Sequence, residues 1–202
     1  FQLTNLKDSE KKYFLLYGQN EGKKIEAIQQ ILDNGFTKNI FKYEEEEILN
    51  NYDNFIEEIS NKSFFEDKKI IIISRTTEKI YSLIEDIKDK NIKDIKIIIN
   101  SKPLEKKSKL RSKFEKEKDL ICIPFYNDDN TVLANIASNF FSKNKIPISR
   151  EVINLLVERC RGDRSNLNNE ISKIEAFAIN KKQITIDEIL KLTNLAENYS
   201  FS

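Results

Sequence analysis

Four consecutive isoleucines, Ile70 to Ile73, and three more, Ile97 to Ile99, each sit in a short segment bounded by charged or polar residues. Runs this short, apolar and β-branched suit strands buried on both faces, as in a parallel sheet covered by helices. The segments YFLLYG (Tyr13 to Gly18), NIFKY (Asn39 to Tyr43), KKIIIISR (Lys68 to Arg75), DIKIIINS (Asp94 to Ser101) and LICIPFY (Leu120 to Tyr126) all read as such strands. Between them the apolar residues switch to helical spacing. Ile25, Ile28, Ile31 and Leu32 mark a first helix, with Gly35 at its C-terminal cap. A second helix is expected from about Glu45 to Ser60, with Ile48, Leu49, Tyr52, Phe55, Ile56 and Ile59 on one face. Thr77 to Lys90 and the charged stretch Leu104 to Lys118 read as two more. Strands alternating with helices predict an α/β domain with a parallel sheet.

Beyond Tyr126 the pattern is helical only. Asn127, Asp128 and Asp129 read as a turn and helix N-cap. Helices are expected over Asp129 to Lys143, Arg150 to Arg161 (stopped by Gly162), Ser165 to Ile179 and Ile186 to Leu192. The expected organisation is an α/β domain over residues 1–126 and a small α-helical, lid-type domain over 127–202. Arg159, Arg161 and Arg164 flank Gly162 and read as cations capping the preceding helix.

Composition narrows the chemistry. Hydrophobic residues at 39% and charged residues at 33% can fill a core and solvate a surface. Lys and Arg number 34 against 33 Asp and Glu, a net charge of +1. Such a balance gives no global attraction to polyanions, so any such contact must come from a local patch. The chain has no histidine, which excludes His-based acid–base chemistry, Ser–His triads and the usual zinc sites. Cys122 and Cys160 lie far apart in different elements and read as small buried hydrophobes in a reducing, cytoplasmic setting. The apolar runs fall far short of the ~20 residues that span a bilayer, and no signal pattern opens the chain. Phe1 is read as something other than the native start.

The strongest local motif is YFLLYGQNEGKKIEAI, a strand, Gly18, a short loop, then Gly22, Lys23 and a helix. A P-loop, G-x-x-x-x-G-K-[ST], sets backbone N–H groups and a Lys around phosphates at a helix N-terminus. Here the loop between the glycines is one residue short, and Lys24 stands where a Ser or Thr should hold Mg²⁺. The strand at Ile70 to Ile73 runs into Ser74-Arg75 and the strand at Ile97 to Ile99 into Asn100-Ser101, so neither offers a metal-holding carboxylate. The plainer reading is a tight strand-to-helix turn without catalysis, metal or cofactor.

Four stretches occur in a telling order: YFLLYGQNEG, SFFEDKKIIIIS (Ser63 to Ser74), IIINSKPLEKKSKLRSKFEKEKDLICIPFY (Ile97 to Tyr126) and GDRSNLNNEISKIEAFA (Gly162 to Ala178). Together they resemble the delta subunit of the bacterial DNA polymerase III clamp loader over nearly the whole chain. The resemblance implies an AAA+-like P-loop NTPase fold with no ATP hydrolysis of its own, in a cytoplasmic, non-catalytic subunit of a nucleotidyltransferase holoenzyme. It also implies that the chain binds and opens the sliding clamp (the beta subunit) for loading onto DNA in replication. Its further partners would be the gamma/tau and delta prime subunits and primer–template DNA, with no membrane. The family's clamp contact maps to Phe64 and Phe65, beside Ser63, and the helix of about Glu45 to Ser60 would bear on the clamp. In related clamp-loader ATPases an ATP-sensing Arg lies three residues after the Gly that opens a second-domain helix. Here that place is Ser165, with Arg164 one earlier. The family also has a third, collar domain, and the sequence reads as stopping just past the second.

Other readings stay open. Lys23 could serve a divergent P-loop NTPase. Lys102, Lys106, Lys107, Lys109, Arg111 and Lys113 could form a DNA-facing basic helix in a replication factor, although Glu105, Glu115 and Glu117 dilute it and favour a solvated face. Adjacent Phe64 and Phe65 cannot both face one core, so at least one is expected at a surface; alternatively one caps the sheet while the other covers a helix end.

Overall fold

The computed structural model describes residues 11–32, 39–60, 69–92, 94–179 and 185–192. The chain divides into two compact units, Phe1–Gln19 with Lys24–Phe125, and Asn20–Lys23 with Tyr126–Ser202.

The first unit is built on strands β1 (Tyr13–Gly18), β2 (Ile40–Glu44), β3 (Lys69–Thr76), β4 (Ile95–Ser101) and β5 (Leu120–Phe125). They form one five-stranded sheet in the order β2-β3-β4-β1-β5. Every pairing is parallel, and β1 lies between β4 and β5, with Phe14 opposite Ile98 on one side and Ile121 on the other. The helices are α1 (Glu21–Leu32), α2 (Glu45–Asn50), α3 (Tyr52–Ser60), α4 (Ile80–Asp89) and α5 (Lys109–Lys116).

Alternate strand residues point to opposite faces. Tyr13, Leu15, Tyr17, Ile71, Ile73, Ile97 and Ile99 pack with Phe55 and Ile59 of α3, Leu83 and Ile84 of α4, and Leu110 and Phe114 of α5. Phe14, Leu16, Ile70, Ile72, Ile98 and Ile121 pack on the other face with Ala27 and Ile31 of α1. Both faces are covered, which is why the isoleucine runs are continuous and not alternating.

Three expected helices of this unit differ from the sequence expectation by a break or by three or more residues at the start. The helix expected over Glu45 to Ser60 breaks at Asn51, whose backbone (φ −136°, ψ 43°) leaves the helical region. The Asn51 side chain accepts from Asn54 Nδ2 at 2.6 Å, the local bonding by which Asn competes with a helix. The helix expected from Thr77 starts at Ile80, because Glu45 holds Thr77 by its N–H and its hydroxyl, each at 2.8 Å. The helix expected from Leu104 starts at Lys109, because Ser108 is its N-cap and accepts from Arg111 N at 3.0 Å.

The second unit carries α6 (Asn130–Lys143), α7 (Arg150–Cys160), α8 (Arg164–Ala178) and α9 (Ile186–Leu192). Leu133, Phe141, Leu156, Cys160, Leu167 and Ile171 are among the residues of its core. Asp129, Ser149 and Asp163 cap α6, α7 and α8. α7 ends where Arg161 (φ 51°) and Gly162 (φ 81°) take left-handed backbone, so Gly162 is the stop that the sequence suggests. Both cysteines are free thiols pushed up to about 12 by burial. Among the described residues no helix is long and apolar enough to cross a membrane.

Candidate functional site

The turn after β1 is the place to look for a phosphate cradle. Gly18 has φ +136°, and a Cβ there would lie 2.1 Å from the carbonyl oxygen of Phe125. Only Gln19 and Asn20 separate β1 from α1. Gly22 is therefore already helical, and its missing side chain serves a different approach. A Cβ on Gly22 would lie 2.3 Å from Ser165 N and 2.6 Å from Arg164 Cβ, so the glycine admits the start of α8.

Four backbone donors at these two helix starts are already used. Asn20 Oδ1 accepts from Lys23 N at 3.1 Å and from Arg164 N at 3.3 Å. Asp163 Oδ1 accepts from Ser165 N at 2.7 Å and from Gly22 N at 3.3 Å. One carboxamide and one carboxylate thus bridge the first turns of α1 and α8, where acceptors and negative charge are both favourable.

Lys23 holds the P-loop position for lysine, but its ammonium pairs with Asp128 at 3.0 Å. The Asp128 carboxylate, whose side chain is 4% exposed, also takes Arg164 Nε at 2.6 Å. Asn20 Nδ2 donates to it at 2.9 Å. Burial alone would raise the Asp128 pKa, but hydrogen bonds from Arg164, Asn20 and Lys23 hold it below the ordinary carboxylate value. Arg164, read from sequence as a cation capping α7, instead opens α8 and faces Asp128. Asp128, read as part of a capping turn, leaves the cap to Asp129, which accepts from Val132 N at 2.8 Å. Lys24 is fully buried in the first unit, where its Nζ donates to the carbonyl of Ser101 at the end of β4, at 2.8 Å.

The basic stretch is partly neutralised. Lys106 and Lys107 lie in a turn ahead of α5, so the expected basic helix holds only Lys109, Arg111 and Lys113 of the series. Arg111 Nε donates to Glu115 at 2.7 Å, its Nη1 donates to the carbonyl of Leu104 at 3.2 Å, and its guanidinium lies 5.1 Å from the Tyr17 ring centre. Lys113 pairs with Glu117 at 2.9 Å and also with Glu85. Lys107 pairs with Glu105 at 2.9 Å in an exposed contact. Lys79, Lys102, Lys107 and Lys109 rim a cavity of about 910 Å³ whose walls include Thr76, Tyr81, Leu104 and Ser108.

The sequence model of the family described as DNA polymerase III, delta subunit, matches residues 14–124. The chain belongs to this family. It is 23% identical over 180 residues to the probable DNA polymerase III subunit delta of Rickettsia prowazekii (strain Madrid E), covering 88% of this chain and 54% of the relative. The delta-family chain therefore spans about half the length of that curated relative. Among solved structures it resembles the Bacillus subtilis DNA clamp loader delta protein, with TM-score 0.51 and 18% identity over 94% of this chain and 60% of that one. It also resembles domain III of the Thermotoga maritima replication initiation protein DnaA, with TM-score 0.61 and 15% identity over 95% and 88% of the two chains. A Thermotoga maritima RuvB variant gives TM-score 0.62 and 17% identity over 94% and 64%. At these identities the likeness concerns the fold, which is that of AAA+ domains.

A nucleotide with its metal, which an AAA+ fold implies, does not fit the residues this delta-family chain presents. The amides of Gly22 and Lys23 are bonded to Asp163 and Asn20, and Lys23 is paired with Asp128. The Lys24 ammonium is bonded inside the first unit, from the position where a metal-holding hydroxyl belongs. Among the described residues no group of three or more Cys, Asp or Glu is placed to hold a metal ion. The site side chains missed from sequence are Asn20, Asp128 and Asp163. Their one sequence signal is a surplus of short polar residues at two helix starts, more than capping alone requires. Ser63, Phe64 and Phe65, the clamp contact implied by resemblance, lie outside the described residues.

Proposed function

We propose that this delta-family chain is the part of a clamp loader that binds the ring-shaped sliding clamp and holds one of its interfaces open. The observation that carries the reading is family membership across residues 14–124. The AAA+ scaffold acts here as a rigid binding body and hydrolyses no ATP of its own, consistent with anion-binding donors that are bonded internally. An α/β domain of about residues 1–126 carries the clamp contact, and the helical part after it acts as a lid-type domain.

Phe64 and Phe65, flanked by Ser63, are the proposed anchor on the clamp. Two phenylalanines bury ~150–250 Å² each, and at ~25 cal/mol/Å² this offers several kcal/mol, the scale of an interface hot spot. The exposed face of α3, with Asp53, Asn54, Glu57 and Glu58, would lie beside this anchor on the clamp. Opening needs no chemistry from the subunit. A protein that binds the open ring more tightly than the closed one shifts the ring toward opening by the difference in affinity. The gamma/tau and delta prime subunits and primer–template DNA complete the proposed assembly.

The test is binding of the 202-residue chain to its cognate clamp, beside a Phe64→Ala/Phe65→Ala variant. The expected result is binding by the wild type and a loss of roughly 100-fold or more in the variant. Equal affinity of a folded wild type and variant would remove the anchor, and no binding by a folded wild type would remove the clamp reading for this chain.

A further inference from the structure

We infer that the cavity at the starts of α4 and α5 in the first unit is a docking site for an acidic peptide segment of a partner protein, one with a large apolar side chain among its acids. β3 and β4 lie side by side in the sheet. Thr76 at the end of β3, and Pro103 and Leu104 past the end of β4, line a cavity of about 910 Å³ together with Tyr81 of α4. That volume is within the ~300–1,000 Å³ of ordinary ligand pockets, and most of the lining is apolar. The rim is cationic. Lys79 precedes α4, Lys102 follows β4 and Lys109 opens α5, so three separate segments each bring one lysine to the same cavity. All three are exposed, with no side-chain partner among the described residues.

The acids of the same lining are committed elsewhere. Glu105 pairs with Lys107 at 2.9 Å, and Glu78 accepts from Leu110 N at 3.4 Å. Lys79, Lys102 and Lys109 are left to face an anion from outside. Ser108, buried in the cavity wall, accepts from Arg111 N at 3.0 Å, and its own O–H has no acceptor among the described residues. The chemistry of the occupant follows from what the cavity offers. A phosphate cradle needs free N–H groups at a helix start, and at α5 those of Leu110 and Arg111 are bonded to Glu78 and Ser108. A duplex backbone brings charge but no apolar group for the interior. An acidic peptide brings both, an apolar side chain for the cavity and carboxylates for the lysines and the Ser108 hydroxyl. An aromatic residue burying ~150–250 Å² would be the anchor, while the rim charges set approach and register. The site shares no residue with the proposed clamp anchor, so the two readings fail separately.

The experiment is fluorescence anisotropy with the 202-residue chain and labelled short peptides that carry two aspartates on either side of a central Phe, Trp or Leu. Control peptides have Ser at the centre, or Asn in place of every Asp. The protein is compared as wild type, Lys79→Glu/Lys109→Glu and Leu104→Ser. The charge reversal changes exposed residues beside helix starts, where acids suit the dipole, so this variant is expected to stay folded even if Leu104→Ser does not. At least one acidic peptide with an apolar centre is expected to bind wild type with a Kd of about 10–100 μM at low salt. Binding should weaken roughly tenfold or more with either control peptide, with Lys79→Glu/Lys109→Glu and with a folded Leu104→Ser. No binding by any of the acidic peptides would overturn the proposal. So would binding that the charge reversal leaves unchanged, since the contact would then lie elsewhere. A duplex oligonucleotide that binds more tightly than every peptide, and loses affinity on the charge reversal, would give the rim to nucleic acid and overturn it too.

Discussion

Arg164 meets Asp128 with two nitrogens of its guanidinium, the closer at 2.6 Å, on a carboxylate 4% exposed to solvent. Truncating one partner of such a pair leaves the other charge buried, so Arg164→Ala should cost about 2–4 kcal/mol in urea unfolding. Arg164→Lys should recover only part of this, because an ammonium cannot reproduce the fork. The pH dependence has a definite sign. Burial raises the Asp128 pKa, but its hydrogen bonds from Arg164, Asn20 and Lys23 hold it below the ordinary value. A carboxylate lowered on folding contributes stability above its unfolded pKa and loses it as pH falls through the folded pKa. Wild type should keep this contribution at acidities where Arg164→Ala has begun to lose it. Stability measured from about pH 6 down to pH 3 checks this: the variant's decline should begin at the higher pH.

Gly22 lies in the first turn of α1, where replacing glycine by alanine ordinarily favours a helix by about 1 kcal/mol. Here the sign should reverse. The new Cβ would stand 2.3 Å from Ser165 N and 2.6 Å from Arg164 Cβ, and the nearer atom is backbone at the start of α8, which cannot swing aside. Gly22→Ala should cost at least about 1–3 kcal/mol, the scale of overpacking. Gly18→Ala should cost more, since it combines a 2.1 Å approach to Phe125 O with a φ of +136°. Denaturation midpoints of the two variants give the comparison, and a Gly22→Ala protein as stable as wild type would mean that α8 yields easily.

The contrast between Ile70–Ile73 and Asn20 shows what the sequence could and could not convey. Residues 70–73 announce a strand covered on both faces by composition alone, and alternate members of the run do enter opposite cores. Local capping was legible at Gly162 and Asp129, where each residue acts on its own helix. It was missed at Ser108, hidden among lysines that also suit a helix, and at Asn51, where one residue divides an apolar stripe that continues across it. Asn20 and Gly22 meet Asp128, Asp163 and Arg164 across 108 to 144 residues of sequence, Asp128 meets Arg164 across 36, and no period or local propensity encodes such meetings. The broken P-loop was readable as a missing residue and a wrong side chain. The occupation of its donors by the chain's own carboxylate and carboxamide was not.

Arg111 and Lys109 stand two residues apart on α5 yet should respond oppositely to mutation. Arg111 is bound to Glu115 and the Leu104 carbonyl and lies 5.1 Å from the Tyr17 ring centre, with only 16% of its side chain exposed. Lys109, like Lys102 and Lys106, is exposed, with no side-chain partner among the described residues. Arg111→Ala should therefore lower stability by about 1–2 kcal/mol through lost packing and hydrogen bonding. It should leave any salt dependence of DNA binding unchanged. The Lys102→Ala/Lys106→Ala/Lys109→Ala variant should keep its stability within about 0.5 kcal/mol. If this stretch meets a DNA backbone, it should also flatten the slope of log K against log salt by about 2–3, close to one for each phosphate contact removed. Urea unfolding and a salt titration of DNA binding on the same two proteins test both halves. A slope that falls with Arg111→Ala at unchanged stability would move Arg111 from the scaffold to the DNA-facing surface.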